Sequence, residues 1–556
     1  MKCADLPRRL FQALPTASHR RPRRCHLVLE GLETRLLMAT GNTLAPASTS
    51  VQGAYYVATN GSNSNPGTMS QPFLTITKGI SMLAPGDTLF VESGTYAESF
   101  DAENQIPGGT SSNPVTIEAY PGDTVTIEPT SGQDAQSVFL FNGSGEQYIN
   151  VQGFIINAAN VTNDAIKITT GSTAANHIKI ANCEVENAPQ NGILTTDGAD
   201  DNQFISDIVH NNGNFNGSGT GLYHGFYIAT QSNVVSGCTV YSNAGHGIQV
   251  YSEGSTTDCS NNVISGNLVY DNGAAPASNL DGHGVGISIA SGTDIQVYNN
   301  ICYGNPNGDI EIDYWAPTNT SVVNNTVYNN GTTDPGIYIG GDSVDGSGKG
   351  AINTLVENNI SYGNSGGNFQ NNGSGTTQIT NLFGTTDPLF VDAATGNFHL
   401  QSGSPAIEAG TATNAPSTDF AGNARPQGSS YHIGAYEYVS AAPTPTPTPT
   451  RSPTNVVPPV VITSAQIEVV GRQRVIVLQL SGPVNSATAD KLASYQLTQQ
   501  RKGVQLVSAT YNPANNTIWL KTRLALPPKL RYPFTLTLVG LKDAHGNPVG
   551  GTFSMA

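Results

Sequence analysis

The sequence predicts an all-β fold built as a parallel solenoid, and three observations carry that prediction. First, a small–apolar–variable–apolar string returns along residues 160–372. It reads Ala165-Ile166-Lys167-Ile168, Gly192-Ile193-Leu194-Thr195, Gly225-Phe226-Tyr227-Ile228, Gly247-Ile248-Gln249-Val250, Gly286-Ile287-Ser288-Ile289, Asp309-Ile310-Glu311-Ile312 and Gly336-Ile337-Tyr338-Ile339, and decays at Asn368-Phe369-Gln370-Asn371. Second, an apolar residue followed by an Asn- or Gly-containing turn recurs between these strings, as in Ile264-Ser265-Gly266-Asn267, Val297-Tyr298-Asn299-Asn300 and Val356-Glu357-Asn358-Asn359. Third, the steps of the first string are 27, 33, 22, 39, 23, 27 and 32 residues, a short coil with loops inserted into it. Alternation over four or five residues marks a strand, and Asn/Gly clusters mark turns. A period of roughly 20 to 50 residues means stacked coils, because one coil cannot bury its apolar side alone.

Crossovers between parallel strands are right-handed almost without exception. The pattern resembles the right-handed parallel β-helix, the architecture of pectate lyases, polygalacturonases and alginate epimerases. A leucine-rich repeat would show Leu at fixed offsets, and Leu is sparse here. The division that follows is an export segment and linker over 1–50, a β-helix over 54–440, a Thr-Pro linker over 441–459 and a small Ig-like β-sandwich over 460–556.

Taken in order, Arg20, Arg21, Arg23 and Arg24 precede an apolar stretch broken by Glu30, Glu33 and Arg35, unlike a membrane span or an ordinary signal peptide. Leu29-Glu30-Gly31-Leu32-Glu33-Thr34-Arg35-Leu36-Leu37 resembles the N-terminal segment of exported planctomycete proteins, which implies a secreted or cell-surface location. Tyr55-Tyr56-Val57, Asn65-Pro66-Gly67-Thr68, Pro85-Gly86-Asp87-Thr88 and Ser93-Gly94-Thr95-Tyr96 resemble the opening of secreted β-helix proteins, including family 9 polysaccharide lyases. Physically this is a strand, a turn, a short helix around Ile76 to Leu83 and a second strand. It would cap a first coil whose exposed edge would otherwise pair with other chains. Asp387-Pro388-Leu389-Phe390, Gly403-Ser404-Pro405-Ala406 and Gly434-Ala435-Tyr436-Glu437-Tyr438 resemble the segment that closes secreted bacterial β-helices. Arg425 there is expected in a structural ion pair with Asp419. The Pro-Thr repeat should be extended and semi-rigid. Beyond it, Val475-Ile476-Val477-Leu478, Thr517-Ile518-Trp519-Leu520 and Phe534-Thr535-Leu536-Thr537-Leu538 alternate with turns, and Asp543-Ala544-His545-Gly546-Asn547 resembles bacterial Ig-like domains of surface proteins.

Charge divides the chain. Residues 36–440 hold 34 acidic residues against Lys78, Lys167, Lys179, Lys349 and Arg425, a balance of −29, whereas 459–556 hold ten basic and three acidic, or +7. So acidic a body excludes a nucleic-acid partner, which needs clustered Lys and Arg. The basic C-terminal part suggests attachment to an anionic wall or surface glycan, or a plain spacer. A monomer is expected. Cys183 and Cys238 share a turn column two coils apart, too far to bridge each other. Cys259 or Cys302 is left as a partner for either.

With Ile310 and Ile312 inward, strand alternation puts Asp309, Glu311 and Asp313 outward together. Three carboxylates on one strand call for a cation or shared protons, and all-oxygen ligands suit Ca²⁺. Trp315 follows in phase and, with Tyr338, would stack or bind sugar, with room over Gly286, Ser288, Gly336 and Gly340. A solvated acidic strand is the alternative. If the reaction is β-elimination, a base is needed. Lys167 lies five coils away, roughly 24 Å, and Lys179 belongs to another side. That leaves Lys349, in a loop with Asp342 and Asp345. The chain lacks the Ala-Asp-Gly-Phe and lysine of the family 9 lyases, so their catalytic residues are not carried over. His224, His246 and His283, with Tyr227 and Tyr251, form a second constellation, of which Tyr251, His246 and His224 are candidate substrate-binding residues. Gly245-His246-Gly247 and Thr196-Asp197-Gly198 with Asp200-Asp201 resemble polygalacturonase motifs, but the Arg-x-Lys element is missing. A stack of polar turn residues explains these histidines equally. The leading expectation is a Ca²⁺-dependent lyase on acidic polysaccharide. A β-helix hydrolase or epimerase, or a non-catalytic glycan-binding surface protein, are the alternatives.

Overall fold

The computed structural model describes residues 53–439 except 103–104, 133–134, 144, 172, 214–221, 253–257, 274–283, 332–333 and 342–349. Toward the C-terminus it describes 462–470, 473–480, 484, 489, 491–499, 502–512, 517–522, 534–538, 541–542 and 551–555. The export segment, the Thr-Pro linker, His283, Asp342, Asp345 and Lys349 lie outside the described residues. The chain divides into two compact units, residues 1–441 and 442–556.

The first unit is a right-handed parallel β-helix. Its coils contribute in turn to a twelve-stranded, an eleven-stranded and a nine-stranded sheet, each ordered by sequence and paired in parallel. The small–apolar–variable–apolar strings form the nine-stranded sheet, from Phe139–Phe141 to Phe369–Asn371. Ile166, Ile193, Phe226, Ile248, Ile287, Ile310 and Ile337 stack in register and are fully buried. At roughly 2 to 3 kcal/mol per buried side chain, these inward columns supply most of the driving force.

The turns explain the Asn-rich punctuation. At each corner a residue in the left-handed region precedes a buried ladder residue: Gly266 at φ 64° before Asn267, Asn299 at 55° before Asn300, Asn324 at 53° before Asn325 and Asn358 at 55° before Asn359. Gly and Asn tolerate that conformation best. Each buried Asn Oδ1 accepts from the main-chain N–H and the side-chain amide of the coil before it, as Asn325 does from Asn300 at 2.9 and 3.0 Å. A second ladder runs through Asn212, Asn243, Asn272, Asn305, Asn330 and Asn364. A shorter third links Asn202, Asn233 and Asn262. The main-chain groups buried at each corner, which would otherwise lack partners, are thereby satisfied.

Both ends are closed. Strand Ala54–Val57 pairs with Thr88–Val91, and helix Ile76–Ile80 packs Ile76 and Ile80 into the core. Thr75 caps this helix, and the Glu98 carboxylate accepts from the Ile76 and Thr77 N–H groups, both at 2.8 Å. In the closing segment Arg425 is ion-paired as expected, but with Glu437 at 2.7 Å, both side chains fully buried; Asp419 instead binds Asn423 and the Glu437 N–H. Arg425 also donates to Asn299 Oδ1, which ties the segment to a coil corner. Cys183, Cys238, Cys259 and Cys302 are all buried free thiols, so the disulfide left open for Cys259 or Cys302 does not form. Asp207 stands between Cys183 and Cys238 in their column.

The second unit holds two four-stranded antiparallel sheets. Ile476, Leu478, Ile518 and Leu520 of one share a core with Leu497, Leu536 and Leu538 of the other, which makes it a β-sandwich. No helix among the described residues is long and apolar enough to cross a membrane.

Candidate functional site

On the nine-stranded sheet, the position between the two buried residues of each string faces outward. In register this column runs Lys167, Leu194, Tyr227, Gln249, Ser288, Glu311, Tyr338 and Gln370. Lys167 is therefore five strands from Glu311, and Lys179 stands on the twelve-stranded sheet, as the sequence indicated. Gln249 and Ser288 are buried, while Glu311 and Tyr338 are half-buried. Lys167, Leu194 and Tyr227 are half-buried as well, so the column is accessible on either side of Gln249 and Ser288; the stretch over Glu311 and Tyr338 is the opening that carries carboxylates.

Asp309 does not join Glu311 and Asp313 on this face. Its column otherwise holds Ala165, Gly192, Gly225, Gly247, Gly286 and Gly336, and it points at the second asparagine ladder. A β-carbon at Gly247 would come within 2.9 Å of Asn272 Nδ2, and one at Gly286 within 2.9 Å of Asn305 Nδ2. Asp309 is 1% exposed, Asn305 donates to its Oδ1, and its Oδ2 is buried with no hydrogen-bond partner. Burial raises its pKa well above the ordinary value, which favours the protonated acid in the place an asparagine would fill. The rule of alternation fails at the strand end, where the chain already enters its turn.

Glu311 and Asp313 do share the outer face, and exposed Asp334 acts on Glu311 through its charge. Burial first, then Asp313 and Asp334, push Glu311 up to about 8. Burial also raises Asp313, whose Oδ1 is enclosed without a donor. Asp313 lies against Gly340, where a β-carbon would sit 2.0 Å from its Cγ, so only glycine leaves it that position. Two half-buried carboxylates, one with an oxygen that no donor serves, suit a hard cation. Glu311, Asp313 and Asp334 nevertheless do not bring three ligand atoms within 4.8 Å of one another; among the described residues, Glu184, Glu186 and His210 do, on the eleven-stranded sheet.

Aromatic residues edge the opening. Trp315 is half-buried, and its main-chain N–H donates to Ala290 O at 2.8 Å. Tyr314, 43% exposed, has φ +82°, a conformation that bulky residues avoid. Its ring meets Tyr251 edge-on at 5.5 Å and Trp315 at 6.4 Å. Sequence reasoning found Trp315 and Tyr251 but not Tyr314, whose direction depends on that backbone. Tyr338 accepts weakly from Asn372 at 3.5 Å, and burial with the neighbouring carboxylates raises its pKa.

The histidines form a turn ladder. His224 and His246 are 2% and 3% exposed, with rings 4.8 Å apart. The Asn191 Oδ1 accepts the His224 N–H, His224 Nδ1 accepts the His246 N–H at 2.9 Å, and His246 Nδ1 accepts the Val285 N–H at 3.1 Å. Rings that accept main-chain hydrogens through Nδ1 are neutral, and such burial leaves little surface for a glycan. They tie coils together as the asparagines do. The polygalacturonase-like acids Asp197 and Asp200 line, with Asp258, a separate cavity of about 390 Å³. Asp197 accepts from Thr169, and Asp200 from the Gln231 N–H and amide.

Fold and site define a right-handed β-helix with a carboxylate-bearing, aromatic-edged opening on one sheet. A Pel9A-like right-handed beta helix region matches residues 55–334, half of the chain, and the protein belongs to that family. It is 28% identical over 374 residues to the uncharacterized protein YwoF of Bacillus subtilis (strain 168), across 61% of this chain and 75% of that one. The crystal structure of pectate lyase Pel9A superimposes with a TM-score of 0.54 at 18% identity, over 70% of this chain and 97% of that one. An alginate lyase from Paenibacillus sp. str. FPU-7 gives 0.40 at 18% identity, over 55% and 94%. At such identities the structural likeness speaks to fold alone.

Proposed function

We propose that this is a secreted enzyme that cleaves an acidic, uronate-containing polysaccharide by β-elimination at the opening over Glu311 and Tyr338. The observation that carries the reading is the Glu311–Asp313 pair, half-buried on an open face, with Asp313 Oδ1 lacking any donor. Family membership and the name of its pectate lyase relative support the substrate class. Glu311 and Asp313 would hold Ca²⁺, which when bound neutralises the uronate carboxylate and the charge that grows beside it. Tyr251, Tyr314 and Trp315 would seat neighbouring sugar rings, and Tyr338 would orient the ring over Glu311. Lys349 is the proposed base for the proton next to the carboxylate, and the glycosidic oxygen leaves as the double bond forms. The C-terminal sandwich is read as an Ig-like attachment module. Digests of pectate or alginate should gain ultraviolet absorbance from the unsaturated product. EDTA should abolish the gain, and Glu311→Gln should lower it about 100-fold. No absorbance on a panel of uronate polymers sinks the lyase.

One observation favours a second reaction. A carboxyl pushed up to about 8 carries its proton at neutral pH, the state a general acid needs. Glu311 would then protonate the leaving oxygen while Asp313 activates water, as in glycoside hydrolysis. New reducing ends without ultraviolet absorbance, and a rate that falls above about pH 8, identify that case.

A further inference from the structure

A group of side chains that plays no part in the opening occupies the outer face of the eleven-stranded sheet. Glu184 and Glu186 point out from strand Glu184–Glu186, and His210 stands beside Glu186 in register on the next strand. His210 Nε2 is 3.1 Å from Glu184 Oε1 and 3.8 Å from Glu186 Oε2. The three ligand atoms lie within 4.8 Å of one another. The ring is 5% exposed and is fixed by stacking on Tyr241, centroids 4.7 Å apart and planes 8° from parallel; Tyr270 and Tyr303 continue the stack at 5.1 and 5.0 Å.

Glu184 and Glu186 converge on one ring nitrogen, which can donate at most one hydrogen and so cannot serve both, and among the described residues no lysine or arginine pairs with either. The opposite nitrogen, Nδ1, is buried with no hydrogen-bond partner, so a proton on it meets no acceptor, in a metal-bound ring as in a protonated one. One imidazole nitrogen and two carboxylates form the donor set of a borderline divalent metal such as Zn²⁺, rather than the all-oxygen set of Ca²⁺.

We propose that Glu184, Glu186 and His210 bind one borderline divalent transition-metal ion, which clips two successive coils together where the tyrosine stack ends. A metal-ligating histidine usually donates its second nitrogen to an acceptor that raises affinity about 10- to 100-fold. Nδ1 here lacks one, so binding should be micromolar rather than nanomolar.

The test is calorimetric titration of Zn²⁺ into the untagged full chain, stripped with EDTA and exchanged into chelator-free buffer, with thermal unfolding in parallel. One equivalent should bind and raise Tm. His210→Gln and Glu186→Gln should each weaken binding at least tenfold while unfolding like the metal-free wild type, and Glu311→Gln should bind as the wild type does. Co²⁺ in place of Zn²⁺ should give visible absorption bands that His210→Gln removes. Absence of heat and of any Tm rise at millimolar Zn²⁺ overturns the proposal, as does binding that survives both substitutions.

Discussion

Asp207 and Asp309 show how one atom decides what a residue does in this fold. Asp207 sits in the turn column that Asn267 and Asn300 continue, and Asp309 reaches the second asparagine ladder from the glycine column beside it. Asp207 Oδ1 accepts the Cys183 N–H at 2.9 Å as an asparagine oxygen would, and its Oδ2 is buried with no hydrogen-bond partner. Burial pushes Asp207 up from 3.8 to about 7 and raises Asp309 in the same direction. Because the folded state holds the proton more tightly, these residues contribute full stability below about pH 4, and the contribution is lost as pH rises toward 7 and beyond. The size for Asp207 is on the order of a few kcal/mol. Asp207→Asn restores the missing amide donor. Its Tm should match the wild type near pH 4 and exceed it by several degrees at pH 8.5. Asp309→Asn should behave the same way and leave turnover intact, since Asp309 does not face the opening. Thermal unfolding across pH would show it; equal slopes for wild type and variants would refute the neutral-acid assignment.

The strands and corners were legible in the sequence because their periodicity is the fold. The inward isoleucines, the outward positions of Glu311, Tyr338 and Lys167, and the Asn corners all follow from counting. What escaped depends on side-chain direction where counting stops. Asp309 is one residue before its strand, and its column of glycines was the available sign that a side chain there turns inward. Asp207 was missed because the coil between Cys183 and Cys238 lacks an Asn to mark it. Glu184, Glu186 and His210 come together only across strands 24 residues apart along the Glu186↔His210 pairing. Lys349 and His283 lie outside the described residues. The ladder itself is testable at this scale. Asn300 is fully buried, accepts from the Asn267 N–H and amide, and donates to Ile264 O and Asn325 Oδ1. Asn300→Ala leaves several of these groups buried without partners, at about 1 to 3 kcal/mol each. Denaturant unfolding should show a loss of about 3 kcal/mol or more, against about 0.5 kcal/mol or less for Gln203→Ala, an exposed strand residue outside the ladder. Similar losses for both would mean that the ladder records the turns without stabilising them.

At the scale of the whole molecule, charge and architecture divide at the same place. The β-helix has its own cores and both ends closed, the sandwich has its own core, and the boundary between the units falls at residue 441. A chain ending at residue 441 should therefore unfold cooperatively at the β-helix Tm and turn over soluble substrate at the full-length rate. The two units carry opposite charge, −29 over 36–440 and +7 over 459–556. An acidic body is repelled by an anionic polymer, whereas exposed basic residues attract it over about 8 Å at physiological ionic strength. If the sandwich serves attachment, the full chain should be retained on insoluble acidic polysaccharide several-fold more than the chain ending at 441, and the difference should vanish in about 0.5 M NaCl, where screening shortens that reach. Cosedimentation with and without salt measures this directly. Equal retention of the two chains at low salt would make the sandwich a spacer, and retention that resists salt would point to a specific sugar site on it instead of its charge.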